Sequence, residues 1–293
     1  MTITDVFRLY STDEHCRELL KRLRWPDGVT CPRCHHKSVS YVSTQKKFEC
    51  VKCEYQFSVL SNTIFHDTHL PLDKWFLATY LICESRKGHS ANQMKRVLGV
   101  SYKTAWYLCH RIRAAMVEAQ KEKLTGTVEV DETYVGGRER GKKRGRGTKK
   151  EIVVGIRQRG GPLRFIRAQD VTQGTLYDII AENVDKTVDV IVTDELPSYN
   201  FETTQFKGKH KTIRHKDHVY VQGDVYTNTV ESAFSLLKRG IMGTWHKISA
   251  KHLPAYLQEM EFRFNRRKSD ILFLDTIHHM VTADPLTFEN LTA

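Results

Sequence analysis

Two cysteine pairs, Cys31-x2-Cys34 and Cys50-x2-Cys53, with fifteen residues between them, constrain this chain more than any other feature. Each pair forms a tight knuckle that aims two thiolates at one point. Two knuckles together supply the four soft ligands of a closed tetrahedral Zn²⁺ site. The segments 38–44 and 46–50 between and within the pairs read as two strands of a ribbon. All four ligand positions come from protein, so this zinc is structural and leaves no open position for catalysis. A redox C-x-x-C is the rival reading, but two such pairs at this spacing argue against it. The other cysteines, Cys16, Cys83 and Cys109, follow no spacing. Cys83 and Cys109 fall in apolar helical contexts and read as buried thiols.

A ribbon of this size accounts for a small part of 293 residues, and two or three domains fit the length. Hydrophobic residues at 40% and aromatic residues at 10% exclude global disorder. The longest strongly apolar run, Trp75 to Cys83, is nine residues. A membrane span needs roughly 20. The first residues, Met1 to Asp5, lack the basic start and apolar run of a signal peptide, which predicts a cytoplasmic protein. The surplus of 46 Lys and Arg over 34 Asp and Glu, a net charge of +12, points to a polyanionic partner, nucleic acid ahead of a membrane surface. Part of that charge sits in one low-complexity insert, 138–150, with eight Lys or Arg and three Gly. Such a run cannot pack, so it reads as a mobile arm offering Lys142, Lys143, Arg144 and Arg146 to phosphates.

Periodicity divides the rest. A mainly helical section runs from about Leu72 to Lys123. Within it, Ser90 caps a short helix, Leu98-Gly99-Val100 breaks it with Gly99 in a left-handed position, and Ser101 caps a second helix over Tyr102–Ala115. This has the form of a helix-turn-helix, in which Lys103, Thr104 and Arg111 approach DNA. Beyond Gly126 the pattern becomes strand-like at 127–134, 152–158, 163–168 and 188–193, with a helical stretch over 175–183 and helices near 230–239 and 251–267. The expected partition is an N-terminal region with the zinc ribbon (1–62), a helical DNA-binding segment (63–125) and a mixed α/β domain (126–293).

Three carboxylates stand where chemistry needs them. Asp131 ends the first apolar run of that domain, Asp194 ends another, and Glu231 begins a helix on which Lys238 follows two turns later. Two strands and a helix presenting carboxylates can hold two divalent cations for phosphoryl transfer, and hard oxygen ligands suit Mg²⁺ or Mn²⁺ rather than zinc. The neighbours Glu129, Glu132 and Glu195 read as capping or solvated groups.

The constellation resembles the DDE transposases of bacterial insertion sequences, specifically the zinc-ribbon group named IS fifteen-ninety-five. The matching stretches are the ribbon at 31–53, Asp131-Glu-Thr-Tyr-Val-Gly-Gly137, Thr193-Asp-Glu195 with Tyr199, and 223–232 running into Leu236-Leu-Lys-Arg-Gly240. Gly243-Thr-Trp-His246 and Phe262-Arg-Phe-Asn-Arg266 continue the match. The resemblance implies a ribonuclease-H-like mixed-sheet catalytic domain that cleaves double-stranded DNA at transposon ends and joins the freed 3′-hydroxyl to target DNA. It also implies a homo-oligomer working on the bacterial nucleoid, with Asp131 and Asp194 as metal ligands. The third ligand is Glu231, with Asn228 as the runner-up one turn earlier. Tyr226 stands where many relatives have His. His210, His215, His218 and His246 read as phosphate contacts outside the core site. A non-catalytic DNA-binding regulator using only the ribbon and helix pair, and a nuclease without strand joining, are the alternatives.

Overall fold

The computed structural model describes residues 1–118, 120–137, 149–213 and 226–293. In chain order the helices are α1 (Ile3–Leu9), α2 (Asp13–Arg24), α3 (Leu72–Glu84), α4 (Ala91–Leu98), α5 (Tyr102–Ala115), α6 (Gln173–Asn183), α7 (Asn228–Gly240), α8 (Leu253–Asn265), α9 (Leu272–Thr282) and α10 (Phe288–Thr292). The strands are β1 (Val39–Val42), β2 (Lys47–Cys50), β3 (Gln56–Phe57), β4 (Thr127–Val135), β5 (Glu151–Gln158), β6 (Leu163–Ala168), β7 (Val190–Thr193) and β8 (His210–Thr212).

The chain divides into two compact units, 1–117 with 268–293, and 118–267. This differs from the three consecutive segments expected from sequence. The helical section ends at Ala115, and Leu124 already packs, 1% exposed, in the core of the second unit. The C-terminal helices return to the first unit because α9 is apolar on the face it buries. Phe273 meets Phe76 and Tyr80 at 6.0 Å between ring centroids, and the Met280 carbonyl accepts from Ile64 N at 3.1 Å.

In the first unit, β1, β2 and β3 form a small antiparallel sheet. Around α4 and α5 the local signals act as expected. Ser90 accepts from Gln93 N, Gly99 ends α4 at φ 63°, and Ser101 accepts from Thr104 N. No helix among the described residues is long and apolar enough to cross a membrane.

The second unit is built on a five-stranded sheet of order β6-β5-β4-β7-β8. β4, β5 and β6 pair antiparallel, whereas β7 joins β4, and β8 joins β7, in parallel. This is the ribonuclease-H-like mixed sheet that the resemblance implies. Strand alternation sorts its side chains. Val128 and Val130 face a core completed by Leu176, Ile179 and Ile180 of α6. Val135 and Val153 face the other way, into a core completed by α7 and α8 through Val230, Phe234, Leu237 and Leu257. Glu129 and Asp131 share parity with Val135, so β4 presents both towards α7.

Candidate active site and zinc centre

The ribbon places its four cysteines as their spacing predicts. Cys31 and Cys53 sulfurs lie 3.6 Å apart, Cys34 and Cys50 sulfurs 3.5 Å apart, and all four fall within 4.8 Å of one another. A tetrahedron with Zn–S bonds of about 2.3 Å has S···S edges of about 3.8 Å, so the set fits zinc. The two knuckles are closed alike. His35 N donates to Cys31 O and Glu54 N to Cys50 O, each at 2.9 Å, and His35 and Glu54 both take positive φ, 57° and 55°. Phe48 and Phe57 pack behind the thiolates.

In the second unit, β4 runs four residues past Asp131, so Asp131 sits inside a strand rather than at its end. What ends there is the pairing with β7. The parallel ladder matches Thr127 with Val190, Val128 with Ile191 and Glu129 with Val192, and stops. Continued by two residues, that register sets Asp131 beside Asp194, just past the end of β7. The carboxylates of Asp131, Glu132 and Asp194 each bring an oxygen within 4.8 Å of the others. Burial, and then the charges of Glu132 and Asp194, push the Asp131 carboxyl up to about 8, and Glu231 adds to the rise. An all-oxygen set whose charges repel one another is the donor chemistry a hard divalent cation satisfies.

Glu132 was expected only to cap or solvate, and it belongs to this cluster. It leaves β4 on the opposite face, where its Oε2 accepts from the Tyr199 hydroxyl at 3.0 Å. Tyr199 is buried, which holds its phenol well above the usual range. Asp194 Oδ1 accepts from Leu196 N at 3.0 Å. On α7, Glu231 is half-buried and accepts from the Thr227 hydroxyl at 2.9 Å, whereas Asn228 is exposed. Lys238 and Arg239 are exposed and line an open depression with Ser232 and Ser235.

The remaining predicted residues scatter. Lys103 and Thr104 are exposed at the start of α5, with the Lys103 ammonium 4.4 Å from the Phe288 ring centre. Arg111 does not fit the expected role as a DNA contact. It is 4% exposed, its guanidinium lies 5.0 Å from the Trp75 ring and 5.2 Å from that of Tyr107, and it donates to the His66 carbonyl. His210 packs against Phe201 and bonds Thr193 Oγ1 at 2.8 Å. His246 is exposed. Lys142, Lys143, Arg144, Arg146, His215 and His218 lie outside the described residues.

Comparison with known proteins places both sites inside matched segments. Residues 123–265 match the family described as the ISXO2-like transposase domain, and residues 11–56 match the transposase zinc-ribbon domain. A protein of Halobacterium salinarum, "Uncharacterized protein in transposable element ISH50", is 30% identical over 275 residues, covering 87% of this chain and 92% of its own length. The crystal structure of the Mos1 strand transfer complex is similar over 70% of this chain and 74% of its own, at 12% identity and a TM-score of 0.30. The relative in ISH50 is archaeal, so the likeness extends beyond bacterial elements. The thiolates fall inside one matched segment and the carboxylates of Asp131, Asp194 and Glu231 inside the other, and by these matches the chain belongs to the ISXO2-like transposase family.

Proposed function

We propose that this protein is an insertion-sequence transposase that binds the ends of its element and carries out divalent-metal-dependent cleavage and strand transfer on double-stranded DNA. The observation that carries this reading is the meeting of Asp131 and Asp194, with Glu132, at the point where the β4–β7 ladder stops. Asp131, Asp194 and Glu231 hold two Mg²⁺ or Mn²⁺ ions, and Glu231 is preferred to Asn228 because it is the anionic and less exposed of the two. When bound, such a pair polarises the attacking and leaving oxygens of an in-line displacement at phosphorus. The Thr227 hydroxyl orients Glu231, and Lys238, two turns further along α7, is a fixed positive charge for the nucleic-acid backbone. No cysteine nucleophile is required, because water and then a 3′-hydroxyl attack directly.

End recognition falls to the zinc ribbon and to Lys103 and Thr104 in a helix-turn-helix formed by α4 and α5, with the basic insert as a phosphate-binding arm. The transposase works as a homo-oligomer on paired ends, in the cytoplasm on the nucleoid.

The test is Asp131→Ala and Asp194→Ala in a cleavage assay on element ends with Mg²⁺ or Mn²⁺. Each variant loses cleavage by roughly a thousandfold or more, since several kcal/mol of transition-state stabilisation goes with the metals. End binding is retained. Cleavage persisting in both variants would sink the reading.

A further inference from the structure

We infer that Glu129 is a positioning residue: from β4 it clamps the first turn of α7 and so sets where Glu231 stands relative to Asp131. The inference rests on the proposed metal site.

Glu129 is fully buried, and its carboxylate is saturated with donors. Arg159 Nε donates to Oε1 at 2.8 Å. Oε2 accepts from Thr229 N at 3.0 Å, Thr229 Oγ1 at 2.6 Å and Val230 N at 3.1 Å. A buried carboxylate is tolerated only with such pairing. The first N–H groups of a helix have no partner within it and favour an anion. On α7 the N-cap residue, Thr227, makes no side-chain cap bond, so the cap comes from a strand 100 and 101 residues before the donors Thr229 and Val230. Glu129 and Asp131 lie on one face of β4, two residues apart, and Glu231 directly follows Val230. Few bonds therefore separate the clamp from either proposed ligand.

The neighbouring strand fixes the same turn. Arg157, opposite Glu129 in the β4–β5 ladder, donates to Thr229 O at 2.7 Å. Arg159 donates to Tyr226 O at 2.9 Å and stacks on the Tyr226 ring at 3.6 Å. Gly155, opposite Asp131, lets the helix come close, since a Cβ there would lie 2.7 Å from Phe234 Cζ and 2.8 Å from Val230 Cγ2. The first turn of α7 is thus seated on the hairpin at the level of the proposed site, and Glu129 is the charged pin.

The experiment uses the full chain with Glu129→Gln and, because that buried site is demanding, Thr229→Val, which removes one hydroxyl donor and little volume. Two readouts are taken: deuterium exchange of the first turn of α7 in zinc-loaded protein without Mg²⁺ or Mn²⁺, and Mn²⁺ affinity by calorimetry. Expected for Glu129→Gln are faster exchange at Thr229 and Val230 and Mn²⁺ binding weaker by roughly 10-fold or more, the usual effect of removing a group that orients a ligand. Thr229→Val shifts both in the same direction by less. A role in stability alone would lower the melting temperature and leave the Mn²⁺ affinity of the folded protein unchanged. Unchanged affinity in folded Glu129→Gln, or in Thr229→Val where the first does not fold, overturns the inference. Unchanged affinity in Asp131→Ala overturns instead the metal-site reading beneath it.

Discussion

The zinc ribbon and the carboxylate cluster both crowd ligand atoms within 4.8 Å, and they are assembled by opposite means. The four thiolates come from 23 consecutive residues, on two knuckles whose backbone bonds are local. Asp131 on β4 and Asp194 just past β7 are separated in the chain by β5, β6 and α6, and their meeting depends on the register of β4 against β7. The ribbon's ligands supply most of the reason for its fold. The acidic site opposes the fold that makes it, since its carboxylates repel in a half-buried setting and Asp131 is pushed up to about 8. One site is shaped by neighbours in sequence, the other by pairing between strands far apart in the chain.

The largest effect expected from this contrast is loss of zinc. Cys50→Ser, or strong chelation, should unfold the ribbon, because structural zinc contributes roughly 10–16 kcal/mol in small zinc-finger peptides. Residues 118–267 should keep their own unfolding transition, read by calorimetry alongside zinc content. A single transition lost as a whole would erase the distinction between the two sites.

The acidic site should respond in the other sense. The folded state raises the Asp131 pKa from about 4, so its contribution to stability is complete below pH ~4 and is lost as pH rises through about 8. The melting temperature of zinc-loaded protein without Mg²⁺ or Mn²⁺ should therefore fall by several degrees between those limits. Mg²⁺ should reverse the fall, and Asp131→Asn should flatten it while abolishing cleavage. A flat profile in the unmodified protein would show that the cluster stores no repulsion.

Gly155→Ala tests the close seating of α7. The added methyl meets Phe234 and Val230 inside 3 Å, and the overpacking should cost about 1–3 kcal/mol in the melting of the second unit. The smallest effect belongs to Lys103→Ala, which should lower the salt dependence of end binding by about one unit of slope and leave both metal sites intact.

What could be read from the sequence follows the same contrast. The cysteine ligands, the Ser90 and Ser101 caps and the Gly99 turn were legible because each is decided by residues within a few positions. Asp131 and Asp194 were nameable from strand patterns and resemblance, but the strand runs on past Asp131, and it is the ladder that stops. Glu129 and Glu132 read as ordinary capping or solvated acids because their partners, Val230 and Tyr199, are 101 and 67 residues away. Glu129 does cap a helix, though one from a distant part of the chain. Arg111 has a charge suited to phosphate, but a guanidinium also packs against aromatic rings, and this one is buried against Trp75 and Tyr107. The return of α9 to the first unit left no local signal beyond its apolar face.

That return has a consequence in time. A ribosome adding roughly 5–20 residues per second releases the 150 residues of 118–267 over some ~7 to 30 s. Throughout that interval α2 and α3 lack the helix that covers them, because Phe273 and Met280 have not been made. At the end of that interval the carboxylate-bearing unit is complete while the zinc-bearing one still waits for α9 and α10. A chain cut between Arg267 and the start of α9 therefore carries a finished carboxylate unit and an unfinished partner unit.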